Sequence, residues 1–291
     1  MIRLRAPAKL NLYLRVLGKR PDGYHEIETV FERIDLTDEV TFEPAPSLEL
    51  TCTDSTLSCG EDNLVVKAAR LLQESCGVQA GARIHLVKRI PIAAGLGGGS
   101  SDAAATLLGL NTLWALGLKR AHLVRLAAAL GSDVPFFLTD APFAIGRGRG
   151  EVCEPEASQA RLTQVVVVPE ARLSTREIYA AGRFDLTAPK PSSTMLLHAL
   201  RNGSLGELAD GLWNDLEPEA IRRCPIIAAI QAQLRAYECP AVRVSGSGPA
   251  VFGLCRDLSH AQGVAAKMQR QPWRTVIVRT DVIPILTPAR V

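Results

Sequence analysis

The residues best suited to chemistry lie in one run, Gly95-Leu96-Gly97-Gly98-Gly99-Ser100-Ser101-Asp102. Glycines lack a Cβ, so successive backbone N–H groups can turn toward a common point. The run opens directly into an apolar pattern of helical period, in which Ala104, Leu107, Leu108 and Leu110 continue to Trp114 and Leu116. A helix beginning there presents unpaired N–H groups and the positive end of its dipole, so the junction is suited to phosphate. Ser100 and Ser101 add hydroxyl donors at the same place. Two other phosphate loops are excluded. No Lys follows the glycines, as the Gly-Lys-Ser/Thr ending of a Walker loop requires. Position 122, about twenty residues on, is His and not the acidic residue of a dinucleotide loop.

Other residues could act beside such a phosphate. Asp133 sits in the helix-breaking Gly131-Ser132-Asp133-Val134-Pro135, where a carboxylate can be aimed as a general base. The same residue type also stabilises turns without any catalytic part. Lys9 and Asn11 alternate with Leu10 and Leu12, so both fall on one face of a strand. A Lys beside Asp133 would keep that carboxylate ionised and offset phosphate charge. A lone Lys on a polar strand face is more commonly a solvated charge. Ser245-Gly246-Ser247-Gly248-Pro249 reads, by residue type, as a tight hairpin turn.

The elements around these residues mix strands and helices in both halves without strict alternation, which indicates an α+β fold. Strands are expected around Leu10–Val16, over Tyr24–Leu36 after the turn Arg20-Pro21-Asp22-Gly23, and near Val40–Phe42, Leu48–Cys52 and Arg83–Arg89. A helix should run from an Asn63 cap through Ser75 to a stop at Gly77, and others from Ser101 and over His122–Leu130. The polar, Pro-containing stretch Gly150–Gln164 reads as a linker. Beyond it, Leu162–Val168 is a strand, followed by helices near Ser193–Leu200, Leu205–Asn214 and Ile226–Tyr237. The pair Val242–Val244 and Val251–Cys255, a helix over Leu258–Gln269 and a strand over Thr275–Val282 complete the chain.

With 291 residues the chain has room for two domains. Charged residues make up 22% and hydrophobic ones 47%, so it can bury a sizeable core and is not a disordered chain. Lys and Arg number 33 against 30 Asp and Glu, with no basic block in either half, which argues against a nucleic-acid or membrane surface. The 7 Cys are odd in number and contain no Cys-x-x-Cys, and the 5 His are scattered, so neither a disulfide framework nor a zinc site is expected. The N-terminus lacks the apolar core of a signal peptide and no apolar run approaches a bilayer span, so a cytoplasmic location is expected.

Three segments together resemble the GHMP kinase superfamily of small-molecule kinases. They are Pro7-Ala8-Lys9-Leu10-Asn11-Leu12, Pro91-Ile92-Ala93-Ala94-Gly95 through Ala104, and Val244 through Phe252, and between them they span nearly the whole chain. Arg20-Pro21-Asp22-Gly23-Tyr24-His25 and Gly131 through Phe137 are similar, more narrowly, to the 4-diphosphocytidyl-2-C-methyl-D-erythritol kinase family. The resemblance implies a two-domain fold, with an N-terminal ATP-binding domain at 1–155, a C-terminal α+β substrate domain at 156–291, and the active site in the cleft between them. The strand at 275–282 would return to the first domain. The same resemblance implies phosphorylation of the erythritol 2-hydroxyl by ATP, with magnesium, on the route to isoprenoid precursors. Lys9 and Asp133 would be catalytic. Pro91, Ile92, Ala93, Ala94, Gly95, Leu96, Gly97, Gly98, Gly99, Ser100 and Ser101 would hold ATP. Asn11, Tyr24, His25, Thr175 and Tyr179 would bind the cytidine substrate, with Tyr24 and Tyr179 as stacking rings. The Ser245–Pro249 turn would help to shape the pocket. No dedicated metal-ligand set is implied, and the expected state is a monomer or weak homodimer. Positions 93 and 94 depart from the pattern, since both are Ala where such loops are often Gly. Other kinases of the superfamily, acting on homoserine or mevalonate, lack a reason for Tyr24-His25. A catalytically silent sensor on this fold should have lost Lys9, Asp133 or the glycine loop, and a nucleic-acid-binding module would need a basic aromatic stripe.

Overall fold

Alternation of apolar residues along the N-terminal segment produces a long strand, β1 (Ile2–Lys19), which turns at Arg20–Tyr24 into an equally long antiparallel β2 (His25–Ala45). This is seen in a computed structural model that describes residues 1–187 and 189–283. The strand expected at Val40–Phe42 is therefore the far end of β2, not a separate element. Then follow β3 (Leu48–Cys52), α1 (Leu64–Cys76) and β4 (Gly81–Val87). Asn63 caps α1 by accepting from Val65 N at 2.9 Å, and Gly77 ends it in the left-handed conformation, as the sequence indicated.

Helix α2 (Gly98–Leu113) starts inside the glycine run, three residues earlier than its apolar period suggested. Its period is hard to read because the helix is buried almost all round, from Ser101 to Leu110. Small residues allow this close seating: a Cβ at Gly109 would stand 2.4 Å from the Phe42 ring. After α3 (Arg120–Leu130), a short 3-10 turn (Pro135–Leu138) buries Phe136 and Phe137 in the core. Next come β5 (Phe143–Arg147) and β6 (Val152–Glu156), an antiparallel pair extending from β2. The expected linker at Gly150–Gln164 is thus wrong in its first part. Val152–Glu156 is strand, because its polar side chains lie at the sheet's open edge while its backbone pairs with β5.

The second half contains β7 (Thr163–Pro169), α4 (Thr175–Ala181), α5 (Ser193–Asn202), α6 (Leu205–Gly211), β8 (Trp213–Asn214), α7 (Glu217–Arg223), α8 (Ile226–Ala236), β9 (Val242–Val244), β10 (Val251–Cys255), α9 (Leu258–Met268) and β11 (Trp273–Arg279). A four-stranded sheet runs β11-β7-β10-β9. The helix expected over Leu205–Asn214 stops at Gly211, since Trp213 and Asn214 leave it to pair in parallel with Tyr13 and Leu14 of β1. That pairing makes β8 an edge of the first sheet, ordered β3-β4-β2-β1-β8. The strand expected at 275–282 pairs with β7 as far as Arg279, and the chain then crosses to β2, where Thr280 bridges Ile34. Thr280 Oγ1 donates to Glu32 Oε1 at 2.7 Å, and Asp281 N donates to the Arg33 carbonyl at 2.7 Å.

Candidate active site

The glycine run folds against both β1 and the Ser245–Pro249 turn. Lys9 N donates to the Leu96 carbonyl at 2.9 Å, and Ala250 N donates to the Ala94 carbonyl at 3.1 Å. Two glycines are required by these approaches. Gly97 has φ +68° and a Cβ there would stand 2.9 Å from Lys9 Cγ; at Gly95 it would stand 2.2 Å from the Ser245 carbonyl oxygen. Gly97 begins α2 without a side-chain cap, so the N–H groups of its first turn remain available to a ligand. Ala93, one of the two departures from Gly, has φ +53° and carries its methyl group in the left-handed region.

This loop forms one wall of a cavity of about 1260 Å³. Every residue from Pro91 to Ser100 lines it, as do Lys9, Asn11, Tyr24, His25, Asp133, Thr175 and Tyr179. Ser101 does not. It is fully buried one helical step round α2, with its Oγ unpartnered, so its hydroxyl is behind the loop and not in the wall.

Lys9 Nζ lies 3.5 Å from Asp133 Oδ2, and it also donates to Asn11 Oδ1. The shared strand face of Lys9 and Asn11 and the helix-breaking turn of Asp133 thus meet at one point. Lys9 is almost entirely buried, whereas the Asp133 side chain keeps 33% of its exposure. Burial pulls the Lys9 ammonium below its ordinary value, and the Asp133 carboxylate opposes that pull. Asn11 Nδ2 is anchored on Thr29 Oγ1 at 2.8 Å, so its carbonyl faces the lysine. The register of β1 against β2 slips between Pro7 and Ala8 and again between Asn11 and Tyr13, as strands often do where they re-aim side chains at a site.

The aromatic end is organised differently from the simple stacking platform expected. His25 stacks on Tyr179 with ring centroids 5.2 Å apart, and Phe184 meets the His25 edge at 5.5 Å. Tyr24 is 53% exposed and carries the Arg149 guanidinium over its ring at 4.7 Å. Burial, with Lys19 nearby, holds the His25 imidazole below its ordinary value, so at neutral pH it can offer one donor and one acceptor. Burial raises the Tyr179 phenol, which therefore stays protonated. Thr175 Oγ1 hydrogen-bonds Ser247 Oγ at 2.8 Å, tying α4 to the Ser245–Pro249 turn.

Several lining residues were missed. Lys88 Nζ is paired with the buried Asp38 and, at 2.9 Å, with Asp102 Oδ2. Burial pulls the Lys88 ammonium down, but the two carboxylates outweigh it and hold the group above its ordinary value. Burial pushes the Asp102 carboxyl up to about 7 against the pull of Lys88. Asp38 Oδ1 also accepts from Ile90 N at 2.8 Å, fixing the entry to the glycine loop. Only the position of Lys88, three residues before Pro91, hinted at this. Arg149 had a clearer signal in the alternating Gly146-Arg147-Gly148-Arg149-Gly150. Among the described residues no cluster of three or more His, Cys, Asp and Glu is arranged to hold a metal ion, and no helix is long and apolar enough to cross a membrane.

Comparison with known proteins follows the same lines. Residues 63–141 match the GHMP kinases N terminal domain and residues 196–274 match the GHMP kinases C terminal family. The chain is 44% identical over 277 residues to a 4-diphosphocytidyl-2-C-methyl-D-erythritol kinase of Pelotomaculum thermopropionicum, covering 94% of this chain and 96% of that one. It is similar to a crystal structure of 4-(cytidine 5'-diphospho)-2C-methyl-D-erythritol kinase, with a TM-score of 0.81 and 38% identity over 95% of this chain and 98% of the other. A homoserine kinase from Cytophaga hutchinsonii shares the fold at a TM-score of 0.75 and 18% identity, covering 97% of this chain and 95% of its own.

Proposed function

Because this chain belongs to the GHMP kinases, and among them to the 4-diphosphocytidyl-2-C-methyl-D-erythritol kinase family, we propose that Asp133 is the general base for phosphorylation of the substrate's 2-hydroxyl, with Lys9 beside it. The chain is an ATP-using kinase of the route to isoprenoid precursors. The observation that carries the assignment of roles is the 3.5 Å pair Lys9–Asp133, set in the cavity wall beside the open start of α2.

Transfer needs the acceptor oxygen and the γ-phosphorus held in line, a sink for one proton, and charge stabilisation on the transferring group. Asp133 Oδ2 is the proton sink. The Lys9 ammonium, 3.5 Å from that carboxylate, orients it beforehand and offsets phosphoryl charge during transfer. The first-turn N–H groups of α2, at Gly98, Gly99 and Ser100, hold the phosphate oxygens. The Asn11 carbonyl, by holding Lys9 Nζ, aims it. At the other end of the cavity, a cytosine edge fits the donor and acceptor of neutral His25, and a ring face fits Tyr24 with Tyr179 behind His25. Arg149, Thr175 and Ser247 are available to the diphosphate and sugar alcohol.

Magnesium fits as the companion of the triphosphate, where it would neutralise phosphate charge. Asp102 lines the cavity and its Oδ1 is buried without a partner, so this is the protein oxygen we assign to the ion. We further infer a division of labour near residues 155 and 156, with ATP held by the first part and the substrate covered by the second. A cytoplasmic monomer or weak homodimer is the accompanying proposal; among the described residues no helix is long and apolar enough to cross a membrane.

The test is ADP release with magnesium ATP and four acceptors in parallel: 4-diphosphocytidyl-2-C-methyl-D-erythritol, homoserine, mevalonate and galactose. Release with the cytidine compound alone is expected. Release with another acceptor would overturn the assignment of Tyr24, His25 and Tyr179.

A further inference from the structure

The Ser245–Pro249 turn closes through Ser245 N to the Ala250 carbonyl at 2.9 Å and Gly248 N to the Ser245 carbonyl at 3.0 Å, and it lies against the Lys9 end of the cavity. Gly246 has φ +56°, and a Cβ there would stand 3.0 Å from Asn11 Oδ1 and 3.3 Å from Lys9 Nζ. A displacement of this turn by a fraction of an ångström therefore changes the space around the Lys9 ammonium. Ser247, the next residue, lines the cavity.

One side chain from outside the cavity holds the turn. Asn214 Nδ2 donates to the carbonyls of Val244 and Gly246, at 2.8 Å each, and its Oδ1 accepts from Leu216 N at 2.9 Å. Both donors of this amide and one of its two acceptor sites are thus used on backbone, and the residue is 5% exposed. Asn214 is itself in β8, paired with Leu14 of the same strand that carries Lys9 and Asn11. Its neighbours reinforce the register. Asp215 Oδ2 accepts from Val16 N at 2.8 Å, and Glu217 Oε2 accepts from Val244 N at 2.7 Å. The short segment 214–217 consequently ties β1 of the first sheet to the start of the turn in the second.

We propose that Asn214 is a positioning residue of the phosphotransfer site, which holds the Gly246 carbonyl and so sets the turn against Lys9 and Asn11. The proposal rests on the reading of Lys9 and Asp133 as the reacting end. Asn214 touches neither substrate nor reacting atoms. It acts through the turn, and its two donated hydrogen bonds are what the role requires.

The isosteric change N214D separates this role from bulk. A carboxylate keeps the acceptor for Leu216 N but cannot donate, and it sets an oxygen against two carbonyl oxygens. With magnesium ATP and the cytidine acceptor, N214D should lower kcat by about 10²-fold, the effect of misplacing a reacting group by about 1 Å. The KM for ATP should change less than kcat, because the turn meets the loop at Ala94 and Gly95 and makes no hydrogen bond to the first-turn N–H groups of α2. If N214D folds poorly, N214S, which retains a donor, carries the same test with a smaller fall in kcat and the same split between kcat and KM. Wild-type kcat in a folded N214D variant would overturn the inference. So would a loss of activity that merely follows the loss of folded protein by circular dichroism. Asp133→Asn, measured alongside, reports separately on the base: normal turnover in D133N with slow turnover in N214D would overturn the base and leave the positioning role standing.

Discussion

Two buried lysines face the same cavity and are paired in opposite ways. Lys9 has one carboxylate partner, Asp133, at 3.5 Å, and that partner is one-third exposed. Lys88 is enclosed by two buried carboxylates, Asp38 and Asp102. Lys88 is over-neutralised by its own protein, so its charge serves the glycine loop and α2 as an internal cross-link. Lys9 is under-paired, with burial working against its charge, and under the proposed role an incoming phosphoryl group would complete its surroundings. The contrast teaches that burial alone does not single out a lysine as a candidate for catalysis. What marks it is an incomplete set of partners that opens on the cavity.

The largest expected effects separate the two lysines. D133N should reduce kcat by roughly 10²- to 10⁴-fold, the range for losing a general base, with little change in Tm. Near wild-type turnover would leave Lys9 and Asp133 as a structural pair and erase the contrast. Replacing the lysines should then split activity from stability. K88M leaves two carboxylates buried without a cation, for a loss of about 3–5 kcal/mol of stability in denaturant unfolding. K9M should abolish turnover while unfolding close to wild type, because it removes a group that burial disfavours. Equal destabilisation by K9M and K88M would break the comparison.

A third buried ionisable group sharpens it. Glu32 accepts from Gln164 Nε2 at 2.6 Å and from Thr280 Oγ1 at 2.7 Å, so only neutral donors support it. Burial, the dominant cause, pushes its carboxyl up from 4.5 to about 7. The folded state therefore holds this proton more tightly than the unfolded chain. The resulting stability is complete below the unfolded value, is lost as pH rises to about 7, and changes no further above it. The loss amounts to about 3 kcal/mol. E32Q should flatten this slope and be the more stable protein at pH 8, with a Gln164 amide free to reorient. Unfolding curves for both proteins from pH 5 to 8 check the sign. The smallest effect concerns the loop between the lysines. A93G relieves a methyl group at φ +53°, and a gain of up to about 1 kcal/mol, or about 2 °C in Tm, is expected. A fall in Tm would show that the Ala93 methyl packs usefully.

How much of this was legible in the sequence depends on how local the cause is. The Asn63 cap, the Gly77 stop, the glycine run before α2 and the 131–135 break are decided by neighbours within a few residues, and they were read correctly. The β6 strand reads as linker in the sequence because it is an edge strand with polar side chains, and its pairing is set by β5. Trp213–Asn214 was taken for the end of a helix because two residues of parallel pairing leave no periodic signal. Asp38 and Lys88 are 50 positions apart, and nothing near Asp38 announces that its carboxylate fixes the start of the glycine loop.

By itself the sequence determined the α+β class, and it singled out Gly95–Ser101 as suited to phosphate and Lys9, Asn11 and Asp133 as chemically apt residues. These follow from backbone preference and side-chain type, which belong to the chain at each position. Only the tertiary structure decided which of the buried lysines is left under-paired, that Ser101 points away from the cavity, that Tyr179 lies on His25, and that Asn214 reaches the Gly246 carbonyl. Those facts depend on long-range packing, where the partner available to a charge or an amide is supplied by a segment far away in sequence.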